Sequence, residues 1–120
     1  TIIPIFNISE KNLPLLISIL EGEDHFSIRS NIVIAFGDLA VRFPNVVQPY
    51  IQNLYERLRD NEKQIRKNSL MVLSHLILND MIKPQGMISH IALCLEDKDK
   101  NLSKLAYQFF QELASKGIFD

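Results

Sequence analysis

The chain has 120 residues, with 13 basic and 14 acidic side chains that leave a formal net charge of -1. This length suits one compact domain, the balanced charge excludes a globally basic nucleic-acid-binding protein, and a hydrophobic content of 47% excludes intrinsic disorder. The single cysteine excludes an internal disulfide framework, and no apolar run is long enough for a membrane span. Because the chain begins with threonine and shows no signal peptide, we expect a soluble intracellular domain that belongs to a longer protein.

The first part of the chain predicts two helices. Apolar residues recur every three or four positions, as they do along one face of a helix. The first helix starts near residue 12 and ends at Gly22, and the second follows an N-cap at Ser27. The second helix ends near Phe43 because Pro44 cannot continue it. We therefore expect a first helical hairpin at about residues 12–43.

The same periodicity predicts a second hairpin at about residues 46–80 and a third at about 84–116. The residues that mark the ends of these helices are Asp60, Pro84, Asp99 and Gly117. No stretch alternates between apolar and polar residues as a strand would. The sequence therefore predicts an all-α fold of six helices, with residues 1–120 forming a single domain.

The hairpins repeat with a period of 37 residues. Equivalent positions carry similar apolar side chains: Ile17, Leu54 and Ile91, then Phe36, Leu73 and Phe110, then Leu39, Leu76 and Leu113. A single hairpin cannot bury its apolar faces, so neighbouring hairpins must stack into an α-solenoid. The signature residues of tetratricopeptide and ankyrin units are absent, and the repeat length favours HEAT-type units.

Acidic and arginine side chains recur around the turns of this repeat. Asp60 precedes Arg66 by six residues, and Asp97 and Arg29 occupy equivalent positions in the neighbouring hairpins. These side chains can form ion pairs within a hairpin or between hairpins. The pattern predicts a structural ladder along the turns and not a ligand site.

No catalytic or metal-binding motif is present. The three histidines are scattered, without the spacing of a metal site, and the chain has no nucleotide-binding or nucleophile motif. Cys94 lies among leucines and is predicted to be a small core residue. We therefore predict no enzyme activity, no cofactor, no metal and no small-molecule substrate.

Four lysines are the candidate contact residues. Lys63 and Lys67 are one helical turn apart, and Lys100 and Lys104 are their equivalents 37 residues later. Stacked hairpins would place them in a two-by-two array, to which Arg57 and Arg59 could add positive charge. Acidic residues in the adjoining turns favour a solvated ridge of mixed charge. The alternative is a contact with DNA or with an acidic partner.

Four long segments resemble one family. They are R-S-N-I-V-I-A-F-G-D-L-A-V-R-F-P-N (residues 29–45), L-Y-E-R-L-R-D (54–60), I-R-K-N-S-L-M-V-L-S-H-L-I-L-N-D-M-I-K (65–83) and F-F-Q-E-L-A-S-K-G (109–117). These strings resemble the HEAT region of the condensin subunit 1 family, in its condensin I form more than its condensin II form. The resemblance covers residues 13–117.

The resemblance implies a non-enzymatic HEAT solenoid that binds the kleisin subunit, contacts the SMC ATPase and touches double-stranded DNA during mitotic chromosome condensation. It implies localisation to the nucleus and chromosomes, with a cytoplasmic phase in the cell cycle, and no membrane partner. The alternative function is a HEAT- or armadillo-type transport or trafficking adaptor that binds peptide segments. The absence of tryptophan and the mixed charges count against that adaptor.

Overall fold

The computed structural model describes residues 12–22, 25–83 and 86–117. The all-α prediction is confirmed, because the regular elements of these residues are helices and none is a strand. The α-helices are α1 (Leu13–Leu20), α2 (Phe26–Arg42), α3 (Pro44–Val47), α4 (Ile51–Glu56), α5 (Lys63–Leu78), α6 (Ile88–Ala92) and α7 (Lys100–Ser115). Short 3-10 turns extend them at Gln48–Tyr50, Arg57–Arg59 and Leu93–Glu96.

The helices form stacked pairs. Helix α1 packs on α2, α4 and the 3-10 turn after it pack on α5, and the 3-10 turn after α6 packs on α7, while the short α3 contacts α2. Helix α5 also contacts both α2 and α7, so these three long helices form one continuous layer. We call α2, α5 and α7 the B layer. No helix of the described residues is both long and apolar enough to cross a lipid bilayer.

The start of α2 differs from the prediction. Ser27 was the expected N-cap, but the cap is His25, whose ring nitrogen Nδ1 accepts a hydrogen bond of 3.2 Å from the backbone N–H of Ser27. An imidazole nitrogen can replace the usual hydroxyl or carboxylate oxygen because it too can accept the orphan N–H of a first turn. The prediction missed this cap because histidine is not among the residues that favour the position.

The first helix of the second hairpin is broken, where the sequence predicted one continuous helix. It begins at Pro44, the first residue of α3, and tightens into a 3-10 turn at Gln48–Tyr50 before α4 starts. Pro49 lies in that turn and has no backbone N–H to donate to the preceding turn of helix. The chain therefore changes its hydrogen-bonding pattern at Pro49 and resumes the α-helix at Ile51.

The start of α5 differs from the prediction. Its N-cap is Glu62, which makes no side-chain capping hydrogen bond, whereas the expected cap, Asp60, lies two residues earlier and accepts a hydrogen bond from the backbone N–H of Glu62.

The ends of α7 agree with their sequence signals. The Asp99 carboxylate accepts hydrogen bonds from the backbone N–H groups of Asn101 and Leu102, which caps α7. Gly117 follows α7 with a φ of 69°. The predicted helix start at Pro84 lies outside the described residues.

The core follows the 37-residue repeat. The equivalent residues Ile17, Leu54 and Ile91 are all buried. Where the stack ends, burial changes: Leu58 is 5% exposed, whereas its equivalent Leu95 is 41% exposed. No described helix packs beyond α6 and α7, so the apolar side chains at that end of the stack remain in contact with solvent.

Candidate functional site

An arginine–aspartate pair joins the first hairpin to the second. Arg29, near the start of α2, donates both of its terminal nitrogens to the Asp60 carboxylate, one of them at 3.2 Å from Oδ1. Both side chains are nearly buried, at 10% and 5% exposed. Arg57 approaches the same carboxylate at 3.3 Å. Arg57 therefore forms its ion pair within the turn. It does not extend the positive charge of the four lysines, contrary to the prediction from the sequence.

The environment of Asp60 stabilises its ionised form. Burial by itself raises the pKa of this carboxyl, but the hydrogen bond from Arg29, the backbone N–H of Glu62 at 3.0 Å and the nearby guanidinium charges outweigh it. The net effect is a pKa below the usual 3.8. Asp60 is therefore ionised at neutral pH and holds the turn before α5 in place.

The same pair recurs one hairpin later. Arg66 donates to the Asp97 carboxylate through Nε at 2.8 Å and through a terminal nitrogen at 3.1 Å. Its remaining nitrogen donates to the backbone carbonyls of Asp60 and Asn61. The side chains of Asp60 and Arg66, six residues apart, therefore do not pair with each other. Each aspartate pairs with the arginine of the preceding hairpin, 31 residues earlier in sequence.

These pairs form a two-step ladder made of Arg29, Asp60, Arg66 and Asp97. Both steps connect the turn of one hairpin to the B-layer helix of the previous one. The equivalent of Arg29 and Arg66 in the third hairpin is Ser103, whose hydroxyl donates to the carbonyl of Lys100. The ladder therefore has no arginine at its third position.

The four lysines form an exposed array at the N-terminal ends of α5 and α7. We call Lys63, Lys67, Lys100 and Lys104 the lysine array; all four are exposed. Lys63 and Lys100 begin their helices, and the other two lie one turn further on. The helix dipoles add partial positive charge at this end of both helices.

One carboxylate partly offsets this charge. Lys63 Nζ lies 3.4 Å from Asp99 Oδ2, and the Lys63 side chain is 72% exposed. The pKa of Asp99 is lowered, first by the backbone N–H of Leu102 and also by Lys63. Within the described ranges, the structure shows no carboxylate in ion-pair contact with Lys67, Lys100 or Lys104.

A groove between α5 and α7 continues from the array and was not predicted from the sequence. Its walls carry Leu70, Met71 and Leu78 on α5 and Leu105, Gln108 and Phe109 on α7, and we call this the α5/α7 groove. The cavity volume is about 190 Å³. The signal available in the sequence was Met71, an apolar residue one turn after Lys67.

The cysteine and histidines form no reactive centre in the described part of the chain. Burial, followed by the nearby Asp97 carboxylate, raises the pKa of the Cys94 thiol to about 11. A thiol in this state is a poor nucleophile. Across the described ranges, no three side chains of the types that hold metals lie close enough together to form a site.

Comparison with known proteins identifies the family of this chain. Residues 27–119 match the family model described as non-SMC mitotic condensation complex subunit 1. The chain belongs to this family. It is 50% identical over 108 residues to the condensin-1 complex subunit CAP-D2 of Arabidopsis thaliana, and 45% identical to the human condensin complex subunit 1.

The condensin I form is the more similar one among these relatives. The condensin-2 complex subunit CAP-D3 of Arabidopsis thaliana is 30% identical over 100 residues, below the 50% of the condensin-1 subunit from the same plant. The match to the condensin-1 subunit covers 90% of this chain and 8% of the relative. The chain therefore spans a small part of the length of a condensin subunit 1 protein.

Proposed function

We propose that this chain is a non-enzymatic scaffold segment of a condensin complex that acts in mitotic chromosome condensation. The observation that carries this proposal is the ladder of Arg29, Asp60, Arg66 and Asp97. Its nearly buried ion pairs link the three hairpins into one rigid unit. A rigid stack whose B layer exposes apolar side chains such as Ile34 and Met71 is suited to holding partners and not to chemistry. Family membership supports the condensin setting.

We propose the kleisin and SMC ATPase subunits as partners, with localisation to the nucleus and chromosomes and to the cytoplasm during part of the cell cycle. A photo-crosslinking amino acid tests this in the assembled complex of the source organism. It replaces one exposed side chain at a time, at Leu15, Met71 or Tyr107, which are 62%, 51% and 58% exposed. We expect an adduct with a kleisin or SMC subunit from at least one position. Irradiated complexes without any such adduct would refute the scaffold role.

Contact between the lysine array and double-stranded DNA is the second candidate function. Its supporting observation is the pairing of four exposed lysines at the ends of two adjacent helices, since helices pack about 8–10 Å apart. The test is fluorescence anisotropy of labelled duplex DNA at about 50 and about 200 mM salt. Neutralising four phosphates predicts an affinity about a hundredfold weaker at the higher salt.

The matched control for that titration is the array reversed to glutamate at Lys63, Lys67, Lys100 and Lys104, compared with a single Lys83→Glu variant outside the array. We expect the reversed chain to lose binding and the Lys83→Glu variant to keep it. Equal binding by all three chains, or no binding at low salt, would refute a DNA contact by this array.

A further inference from the structure

The lysine array and the α5/α7 groove follow each other along the same faces of α5 and α7. Lys67 is followed on α5 by Leu70 and Met71, three and four residues later, so these side chains share a face of the helix. On α7, Lys104 precedes Gln108 by four residues in the same way. Lys67 also borders the small cleft next to Asn101, at the start of α7. The surface is therefore cationic at one end and apolar in the middle.

Beyond the lysines, α5 exposes an apolar side chain that the neighbouring helices do not cover. Met71 is 51% exposed, and its equivalent on α2, Ile34, is 48% exposed. Beside Met71, the α5/α7 groove has a volume of about 190 Å³. An apolar cavity of about 150 Å³ accepts benzene, so this groove has room for one large aliphatic or aromatic side chain.

The far end of the groove is electrically balanced. Glu112 borders it, and the Lys116 ammonium donates to the backbone carbonyl of Leu78 at 2.7 Å, closing the end of α5. Cationic side chains are therefore concentrated at the N-terminal end, at Lys67, Lys100 and Lys104, whereas the far end has one acidic and one basic side chain. A ligand that complements this surface is acidic at one end only and apolar beyond it.

We propose that the α5/α7 groove together with the lysine array binds an acidic polypeptide segment that carries an apolar anchor residue. The inference rests on the proposed scaffold function and specifies the kind of partner. From Lys67 to Leu78 the site is about 16 Å long at 1.5 Å per helical residue. This length accommodates about five extended residues or three turns of a partner helix.

The alternative ligand for the lysines is the DNA backbone, and the surface favours the polypeptide. A phosphate backbone needs cations along its path and gains nothing from a half-exposed methionine or an apolar cavity. Here the cations occupy one end, and five of the eight residues that line the groove beyond them are apolar, the others being Ser74, Gln108 and Glu112. An apolar anchor in a pocket next to complementary charge is the usual composition of a protein-binding hot spot.

The test begins with selection of a random 16-residue peptide library, displayed on phage, against the 120-residue chain. We expect the enriched peptides to share at least two acidic residues followed by a leucine, methionine or aromatic residue. A labelled peptide carrying that consensus is then titrated with the chain and followed by anisotropy. Enrichment of basic peptides, or the lack of any shared pattern, would overturn the proposal.

Matched variants locate the binding site. Met71→Ser should weaken binding of the consensus peptide at least tenfold. Leu15→Ser, which truncates another apolar residue that is more than half exposed, on α1, should not. Lys67→Glu should weaken binding by a similar factor, and Lys83→Glu should leave it unchanged. Binding that all four variants retain would place the peptide elsewhere and overturn the assignment.

Two outcomes separate the proposals. If Lys67→Glu abolishes binding of duplex DNA while Met71→Ser has no effect on any ligand, the surface is a DNA contact and the peptide site is wrong. If the crosslinker yields condensin adducts at other positions but none at position 71, the scaffold role stands and the groove assignment fails. Adducts at position 71 that Lys67→Glu removes are the result we expect.

Discussion

Neutralising Asp60 should destabilise the stack in a pH-dependent manner. The carboxylate accepts hydrogen bonds from both terminal nitrogens of Arg29, from one terminal nitrogen of Arg57 and from the backbone N–H of Glu62. Asp60→Asn keeps the size of the side chain but removes its charge, so the Arg29 side chain, only 10% exposed, loses its ion pair with this carboxylate. Removing one partner of a fully buried ion pair lowers the free energy of unfolding by about 3–5 kcal/mol, whereas an exposed ion pair contributes less than about 1 kcal/mol to it. For this nearly buried pair at the edge of the stack we expect a loss of about 2–4 kcal/mol at pH 7.

The direction of the pKa shift fixes the pH dependence. The folded-state pKa of Asp60 lies below its usual 3.8, so ionisation of this group favours the folded state at every pH above the unfolded-state value. That contribution is lost as the pH falls from about 5 through the folded-state pKa. The free energy of unfolding of the wild-type chain should therefore decline over this range more steeply than that of Asp60→Asn.

Urea unfolding followed by circular dichroism at pH 7 and at pH 3 measures both effects. Asp38→Asn is the matched control, because Asp38 is an exposed aspartate on α2, and it should change stability by less than about 0.5 kcal/mol. Two results contradict the reasoning: a loss at pH 7 no larger than that of the control, or a difference between wild type and Asp60→Asn that does not shrink at pH 3.

Three further substitutions test packing and backbone geometry, each by urea unfolding. A Cβ on Gly37 would lie 3.0 Å from a Val72 methyl. Gly37→Ala should therefore raise the free energy of unfolding by the full helix-propensity difference of about 1 kcal/mol only when Val72 is also replaced by alanine. Equal gains with and without Val72→Ala would disprove the close contact. Asp80 has a φ of 58° where the third hairpin has Gly117, so Asp80→Gly should stabilise the chain by about 0.5–1 kcal/mol while Asp80→Ala should not. The hydroxyl of Ser69 is buried without a hydrogen-bond partner among the described residues, so Ser69→Ala should stabilise by about 1 kcal/mol, and a loss of stability would reveal an unrecognised partner.

The sequence by itself determined the helical class, the repeat and most of the core. Apolar spacing of three and four residues can only be satisfied by helices with one buried face, and the 37-residue offset identified equivalent buried positions such as Leu54 and Ile91. Helix-end signals with a local mechanism were also readable: Asp99 caps α7 and Gly117 follows it, because the groups involved lie within four residues of each other.

The tertiary structure decided what depends on how the hairpins stack. The sequence could not tell whether Asp60 pairs with Arg66, six residues away, or with Arg29, 31 residues away, because only the stacking places the Arg29 guanidinium against the Asp60 carboxylate. The α5/α7 groove was unreadable for the same reason. Its cavity exists between two helices, and no periodicity along one helix distinguishes Met71, which stays half exposed, from the leucines beside it that the neighbouring hairpins bury.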